Sequence, residues 1–234
     1  MNRSDINDIL TEAATFIRGH GFNLPPFATW TLDEWQSATD IAGLVLPQLG
    51  WDVTDFGSGD FSNSGLVLFT LRNGVRTQVT GVSTKAYAEK LLIIKQDQRT
   101  PMHCHYRKTE DIINRSGASL VIELRSGSRE GRVSDVDATV FVDGQKRSVP
   151  SGGYITLKPG ESITLEPYCF HSFWAESGDV LAGEVSSIND DTTDNLFLDA
   201  SGRFPKILED ASPIRLLVSD YHLLDNALKE ESTL

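Results

Sequence analysis

Four residues, His103, His105, Glu110 and His171, have the types and the spacing to hold a metal ion. His103 and His105 are two apart, so on a strand both project from one face, with Cys104 on the other. Glu110 follows past a turn at Arg107-Lys108, and His171 sits in a separate strand-like run, YCFHSFW. Three imidazoles and a carboxylate form a mixed nitrogen and oxygen set that suits Mn²⁺, Fe²⁺, Co²⁺, Ni²⁺ or Zn²⁺. Four protein ligands on an octahedral ion leave two positions for water or substrate. Each histidine alone has a plainer reading: His-x-His as an exposed or hydrogen-bonded pair, and His171, flanked by Phe170 and Phe173, as a core histidine. The four together favour the metal. His20 reads as a helix C-terminal residue favoured by the dipole, and His222 as structural or surface.

Strands must present this set, and the sequence supplies them after a helical start. Residues 4–18 read as a helix capped by Ser4, with Ile6, Ile9, Leu10, Ala13, Phe16 and Ile17 on one face and Gly19 and Gly21 at its end. Leu24-Pro25-Pro26 forces an extended turn. Thr31 with Glu34 makes a capping box for a second helix, whose buried stripe is Trp35, Ala38, Ile41, Ala42, Val45 and Leu46. From about residue 50 the texture becomes β-rich, and Asn73-Gly74 reads as a hairpin turn. Strand-like runs follow at 101–106, 119–124, 138–142, 153–157, 161–166, 169–175 and 180–186. Residues 213–224 read as one more strand and 225–231 as a short C-terminal helix. The expected organisation is mainly β and a single domain over residues 1–234, with a helical arm at 1–50 and a β-barrel at 60–224.

The charge balance narrows the partners. Asp plus Glu number 33 and Lys plus Arg 21, a net charge of −12, which disfavours nucleic acid and anionic membranes as partners. No run approaches the ~18 apolar residues of a membrane span. The first residues carry acids in every turn and do not read as a signal peptide. The two cysteines, Cys104 and Cys169, fall on opposed faces relative to the histidines. No disulfide is expected between them, which suits a cytoplasmic location.

The spacing His103-x-His105-x4-Glu110-x6-Gly117 resembles the first motif of the cupins, with Asp97 in place of the leading Gly. The second cupin motif is looser. Gly160 stands at the proper distance before His171, Pro167 is displaced by one, Tyr168 replaces a Gly and Ala175 replaces the final Asn. The resemblance implies a double-stranded β-helix (jelly-roll) barrel with His103, His105, Glu110 and His171 as its metal ligands. The departures remove no ligand and bear on the turn geometry before the last ligand strand. A longer pattern is more specific. The N-terminal MNRSDINDILTEAATFIRGHGFNLPPFATW, the WDVTDFG segment, PMHCHYRKTEDIINRSG and GEVSSINDDTTDN together resemble the bacterial D-lyxose isomerase family of cupins across essentially the whole chain. That resemblance implies interconversion of D-lyxose with D-xylulose and of D-mannose with D-fructose. It also implies a divalent metal, usually Mn²⁺, and a homodimer. An Fe-dependent cupin dioxygenase and a non-catalytic sugar-binding cupin are the alternatives, since the fold alone hosts all three.

Aldose–ketose isomerisation needs an electrophile on the C1 and C2 oxygens and a base that moves a proton between the two carbons. Lys108, in the turn between the His pair and Glu110, and Glu184, at the end of the apolar run VLAGEV, are the candidate catalytic residues. Lys108 reads equally as an exposed turn lysine, and alternation from Leu181 and Gly183 leaves the side of Glu184 open. The polar stretch from Ser186 to Asn195 reads as a hydroxyl-binding rim or a solvated acidic loop, and the resemblance singles out Asp191 and Asp194. Trp51, Phe173 and Trp174 are candidates to border a sugar. Lys95 shares the histidine face if alternation from His103 is unbroken by Pro101.

Overall fold

Strand β2 (Leu66–Arg72) begins with a continuous apolar or small run and strand β3 (Tyr87–Ile94) ends in one, because both faces of these strands are covered. Leu66, Leu68, Leu92 and Ile94 pack into the barrel interior, whereas Val67, Phe69, Leu91 and Ile93 meet the N-terminal arm. A period of two on a doubly covered strand gives an unbroken hydrophobic run. The arm is helix α1 (Arg3–Gly19), whose Ile6, Leu10 and Ile17 are fully buried against that outer face. Each such side chain contributes roughly 1.5–3 kcal/mol.

These features belong to a computed structural model that describes residues 1–77, 79–80, 82–199 and 202–224. Strand β1 (Gly50–Thr54) precedes β2. After β3 come β4 (His103–His105), β5 (Glu110–Gly127), β6 (Val133–Ser134), β7 (Ala138–Val142), β8 (Gln145–Val149), β9 (Tyr154–Leu157), β10 (Ser162–Leu165), β11 (Cys169–Ser187) and β12 (Asn195–Phe197). The main order is β1-β2-β3-β11-β5-β10-β7-β8, with β4 between β11 and β12, and every pairing between these strands is antiparallel. The long strands β5 and β11 pair along most of their length and share a register shift between Glu176 and Val180. Gly117 lies opposite that shift with φ 98°, and a Cβ there would meet the carbonyl oxygen of Asp179 at 2.3 Å. This is the closing Gly of the first motif. No helix among the described residues is long and apolar enough to cross a membrane.

Several local expectations change. The second helix is two short pieces, α2 (Leu32–Ser37) and α3 (Ala42–Val45), because Ala38 is extended and Asp40 adopts φ 58°. The Thr31–Glu34 capping box is present, and Trp35 and Ile41 are buried, but Leu46 is exposed. Ser4 is no cap; its hydroxyl donates to Asp210, and Asn2 precedes the helix without a side-chain cap. Asn73-Gly74 is not a hairpin turn: the Asn73 amide donates to the Pro47 and Asn189 carbonyls, and its oxygen accepts from the Asn189 N–H. The two-residue hairpin is Asp143-Gly144, both with positive φ, between β7 and β8. Residues 218–224 form a 3₁₀ turn rather than a strand. The short helix expected at 225–231 lies outside the described residues.

Candidate active site

Strand alternation brings the ligand candidates together. His103 pairs with His171 across β4 and β11, and their ligand atoms and that of His105 all lie within 4.8 Å of one another. Each ring is held by its Nδ1. That of His103 lies 2.8 Å from the Pro101 carbonyl, that of His171 3.0 Å from Cys169, and that of His105 3.2 Å from Asp194. A carbonyl only accepts, so each Nδ1 carries a hydrogen, and a ring that is neutral then keeps its lone pair on Nε2. Burial, reinforced by His171 and His105, holds His103 well below the usual imidazole range; burial and then Lys108 lower His105. Both are therefore neutral at pH 7.

Glu110 completes the set. Its Oε1 lies 3.3 Å from His105 Nε2 and 3.2 Å from His171 Nε2, is buried, and has no hydrogen-bond partner. Lone pairs converge there on a carboxylate oxygen with no donor between them, and a buried arrangement of that kind fits a cation. The cysteines take no part in it: Cys104 is buried on the opposite face, and burial pushes both thiols up to about 12. Both are free.

Beyond Glu110 runs a buried line of alternating charge. Lys108, 3% exposed, places Nζ 2.7 Å from Glu110 Oε2 and 2.8 Å from Glu184 Oε1. Lys90 Nζ lies 3.7 Å from Glu184 and 3.5 Å from Asp191 and donates to Asn189 at 2.7 Å. Arg203 Nη2 then joins Asp191 at 3.0 Å to Asp52 at 2.7 Å. Burial works against these charges; at Lys108, Glu110, Glu184, Asp191 and Arg203 the partners outweigh it, whereas at Asp52 burial prevails over Arg203 and raises the carboxyl. Glu110, Glu184 and Asp191 together raise Lys108; Lys108 and Lys90 lower Glu184; Arg203, Lys90 and Lys108 hold Asp191 well below the carboxylate range. The line walls one side of a cavity, and Phe56, Leu66, Leu68, Leu92, Ile112, Phe173 and Phe197 contribute its apolar lining.

The backbone explains the departures from the cupin motifs. Asp97 and Tyr168, which replace glycines, adopt φ 70° and 64°, so the left-handed conformation is kept although the residue changes. The solved structure of Cellulomonas parahominis L-ribose isomerase with L-psicose superposes with TM-score 0.60 over 89% of this chain and 98% of that one, at 16% identity, which establishes the cupin fold. A family model described as D-lyxose isomerase matches residues 1–221. The chain belongs to the D-lyxose isomerase family. It is 46% identical to a D-lyxose/D-mannose isomerase of Escherichia coli over 94% of this chain and 98% of the relative. It is 43% identical to one of Serratia proteamaculans, with the same shares covered. As a member of this family the chain is an isomerase, which sets aside the dioxygenase and the non-catalytic binder.

Against that background the remaining site candidates divide. Lys108, Glu184, Asp191 and Phe173 line the cavity. Asp194 stands behind it, its carbonyl facing the His105 ring and its Oδ2 accepting the Lys108 N–H at 3.0 Å. Trp51 lies outside, buried against the arm with Nε1 donating to Ala28. Trp174 also faces away, under the Arg99 guanidinium. Lys95 is 37% exposed and pairs with Glu12 of the arm and Asp179. The count from His103 failed because β3 ends at Ile94 and Asp97 turns the chain; counted within β3, Lys95 falls on the outer face with Leu91 and Ile93. The same count puts Lys90 inside with Leu92 and Ile94. Lys90 was therefore legible as a cavity residue, and Asn189 as part of the polar Ser186–Asn195 stretch, whereas Asp52 and Arg203 carry no sequence signal that ties them to the histidines.

Proposed function

We propose that this cavity interconverts D-lyxose with D-xylulose and D-mannose with D-fructose by moving a proton between C1 and C2 of the open-chain sugar. The observation that supports this most directly is that the acceptor-only His103, His105, His171 and Glu110 cluster and the Lys108–Glu184 pair open on one cavity. A divalent cation, Mn²⁺ in our reading, would be held by those four residues and would polarise the carbonyl and hydroxyl oxygens of the sugar, acidifying the C–H bond.

The protein's own groups do the rest. Glu184 is the base. It is kept ionised by two ammonium groups, so it is ready to accept a proton from one carbon and return it to the neighbour through a cis-enediol. Lys108 holds a proton between Glu184 and Glu110 and donates a hydrogen bond where negative charge grows on the sugar oxygens. The carboxylates lining the cavity offer acceptors to hydroxyls, and the apolar wall keeps bulk water from the reacting carbons. Incubating Mn²⁺-loaded protein with D-lyxose or D-mannose in D₂O tests the reading: ketose forms, deuterium enters at C1 or C2, and chelation stops both. Absence of conversion with Mn²⁺, Co²⁺, Fe²⁺ and Ni²⁺ alike would sink it.

A further inference from the structure

Two residues that line the cavity each bury a polar atom without a hydrogen-bond partner. One such atom is Glu110 Oε1 at the histidine end; the other is Arg203 Nη1 at the far end of the charged line. The Arg203 side chain is 10% exposed. Its Nη2 is committed to Asp52 and Asp191, its main-chain oxygen accepts from Thr54, and its guanidinium leans over the Phe204 ring at 5.2 Å. The group is thus held from several sides with one donor left over. An unmet buried donor costs free energy, so it is kept where something fills it. From these contacts we infer that Arg203 Nη1 is the distal specificity contact, donating to a neutral hydroxyl on the part of the sugar remote from C1 and C2.

Neutrality follows from the surrounding charge. Arg203 already faces two carboxylates, and the full line contains four carboxylates against three cations. A phosphate or carboxylate placed at Nη1 would meet Asp52 and Asp191 at close range with no spare positive charge. A hydroxyl takes the hydrogen bond and brings none. The arrangement therefore selects the unmodified sugar and rejects its terminal phosphate ester.

This deepens the isomerase reading and rests on it, so the test includes direct binding of a non-isomerisable alditol, D-arabinitol, measured by calorimetry. Arg203→Lys keeps a positive charge for Asp52 and Asp191 but removes the second arm of the fork. The expected result is alditol affinity down about tenfold and KM for D-lyxose up by a similar factor, with kcat changed less than KM. Unchanged affinity and KM, or a loss confined to kcat, would overturn the inference. A wild type that binds the alditol but converts no sugar would defeat the isomerase reading alone, and the affinity ratio would still decide this one. Should Arg203→Lys fail to fold, the charge argument is tested in wild type and Asp52→Asn. D-mannose 6-phosphate should not inhibit the wild type at concentrations where D-mannose saturates, and Asp52→Asn should gain inhibition. Inhibition of the wild type as strong as competition by the neutral sugar would overturn the inference.

Discussion

Arg3 and Arg203 are both buried arginines held between two carboxylates, and they differ in one respect. Arg3 is 2% exposed; its Nε and Nη2 donate to Glu209 and its Nη1 and Nη2 to Asp220, so each nitrogen has a partner. Asp220 also accepts the Leu217 N–H, and the cluster ties the start of α1 to the chain's last described turn. Arg203 has the same neighbours in kind but leaves Nη1 unmatched on a cavity wall. A buried ion network is thus not itself the mark of a site. What sets this cavity apart is that two residues lining it, Glu110 and Arg203, each bury a polar atom without a hydrogen-bond partner.

The comparison predicts opposite signatures for damage to the two regions. Within the cavity, Glu184→Gln keeps the shape and an acceptor for Lys108 but removes the proposed base. We expect kcat to fall about 10³-fold with metal content unchanged. A variant that retained wild-type kcat would move the base elsewhere along the charged line. In the arm, Arg3→Met strands Asp220 without its partner and should cost about 3 kcal/mol of stability. At this chain length that is a drop in Tm of roughly 10 °C, while kcat/KM measured well below the transition stays within about twofold. If Arg3→Met damaged turnover as much as Glu184→Gln, the division between structural and functional networks would collapse.

How far the sequence reveals this division depends on what each residue leans on. The four ligand candidates were legible because two lie on one short strand and the others stand at motif spacing. The helical arm was legible from the periodicity of Ile6, Leu10, Ala13 and Ile17. The side of Glu184 was not, because β11 shifts register against β5 between Glu176 and Val180. His171, Phe173 and Ala175 point inward at odd positions before that shift, and Val180, Ala182 and Glu184 at even positions after it. No count from one end survives such a bulge. Asn73-Gly74 misled for a related reason: a dipeptide favourable for a hairpin serves here to clamp the Asn189 loop, a role set by a residue 116 positions away. The pairing of Arg203 with Asp52 spans 151 positions and reaches no further into the sequence than the fold itself.

The smallest effect we expect separates the cavity network from its surroundings by pH. Burial alone would raise the Asp191 carboxyl, but Arg203, Lys90 and Lys108 together hold it well below its ordinary value, helped by Asn189. A carboxylate whose folded value lies below its unfolded one stabilises the native state above the unfolded value, about 4 for Asp, and that stabilisation is lost progressively as pH falls toward the folded value. Asp191→Asn forfeits it at every pH. The Tm of the wild type should therefore exceed that of Asp191→Asn by a constant margin from pH 8 to about 5, and the margin should narrow below about 4. A margin that already closes between pH 7 and 5 would mean that the three cations do not outweigh burial at Asp191. A margin that stays flat down to pH 2 would trace the loss to packing or hydrogen bonding and not to charge.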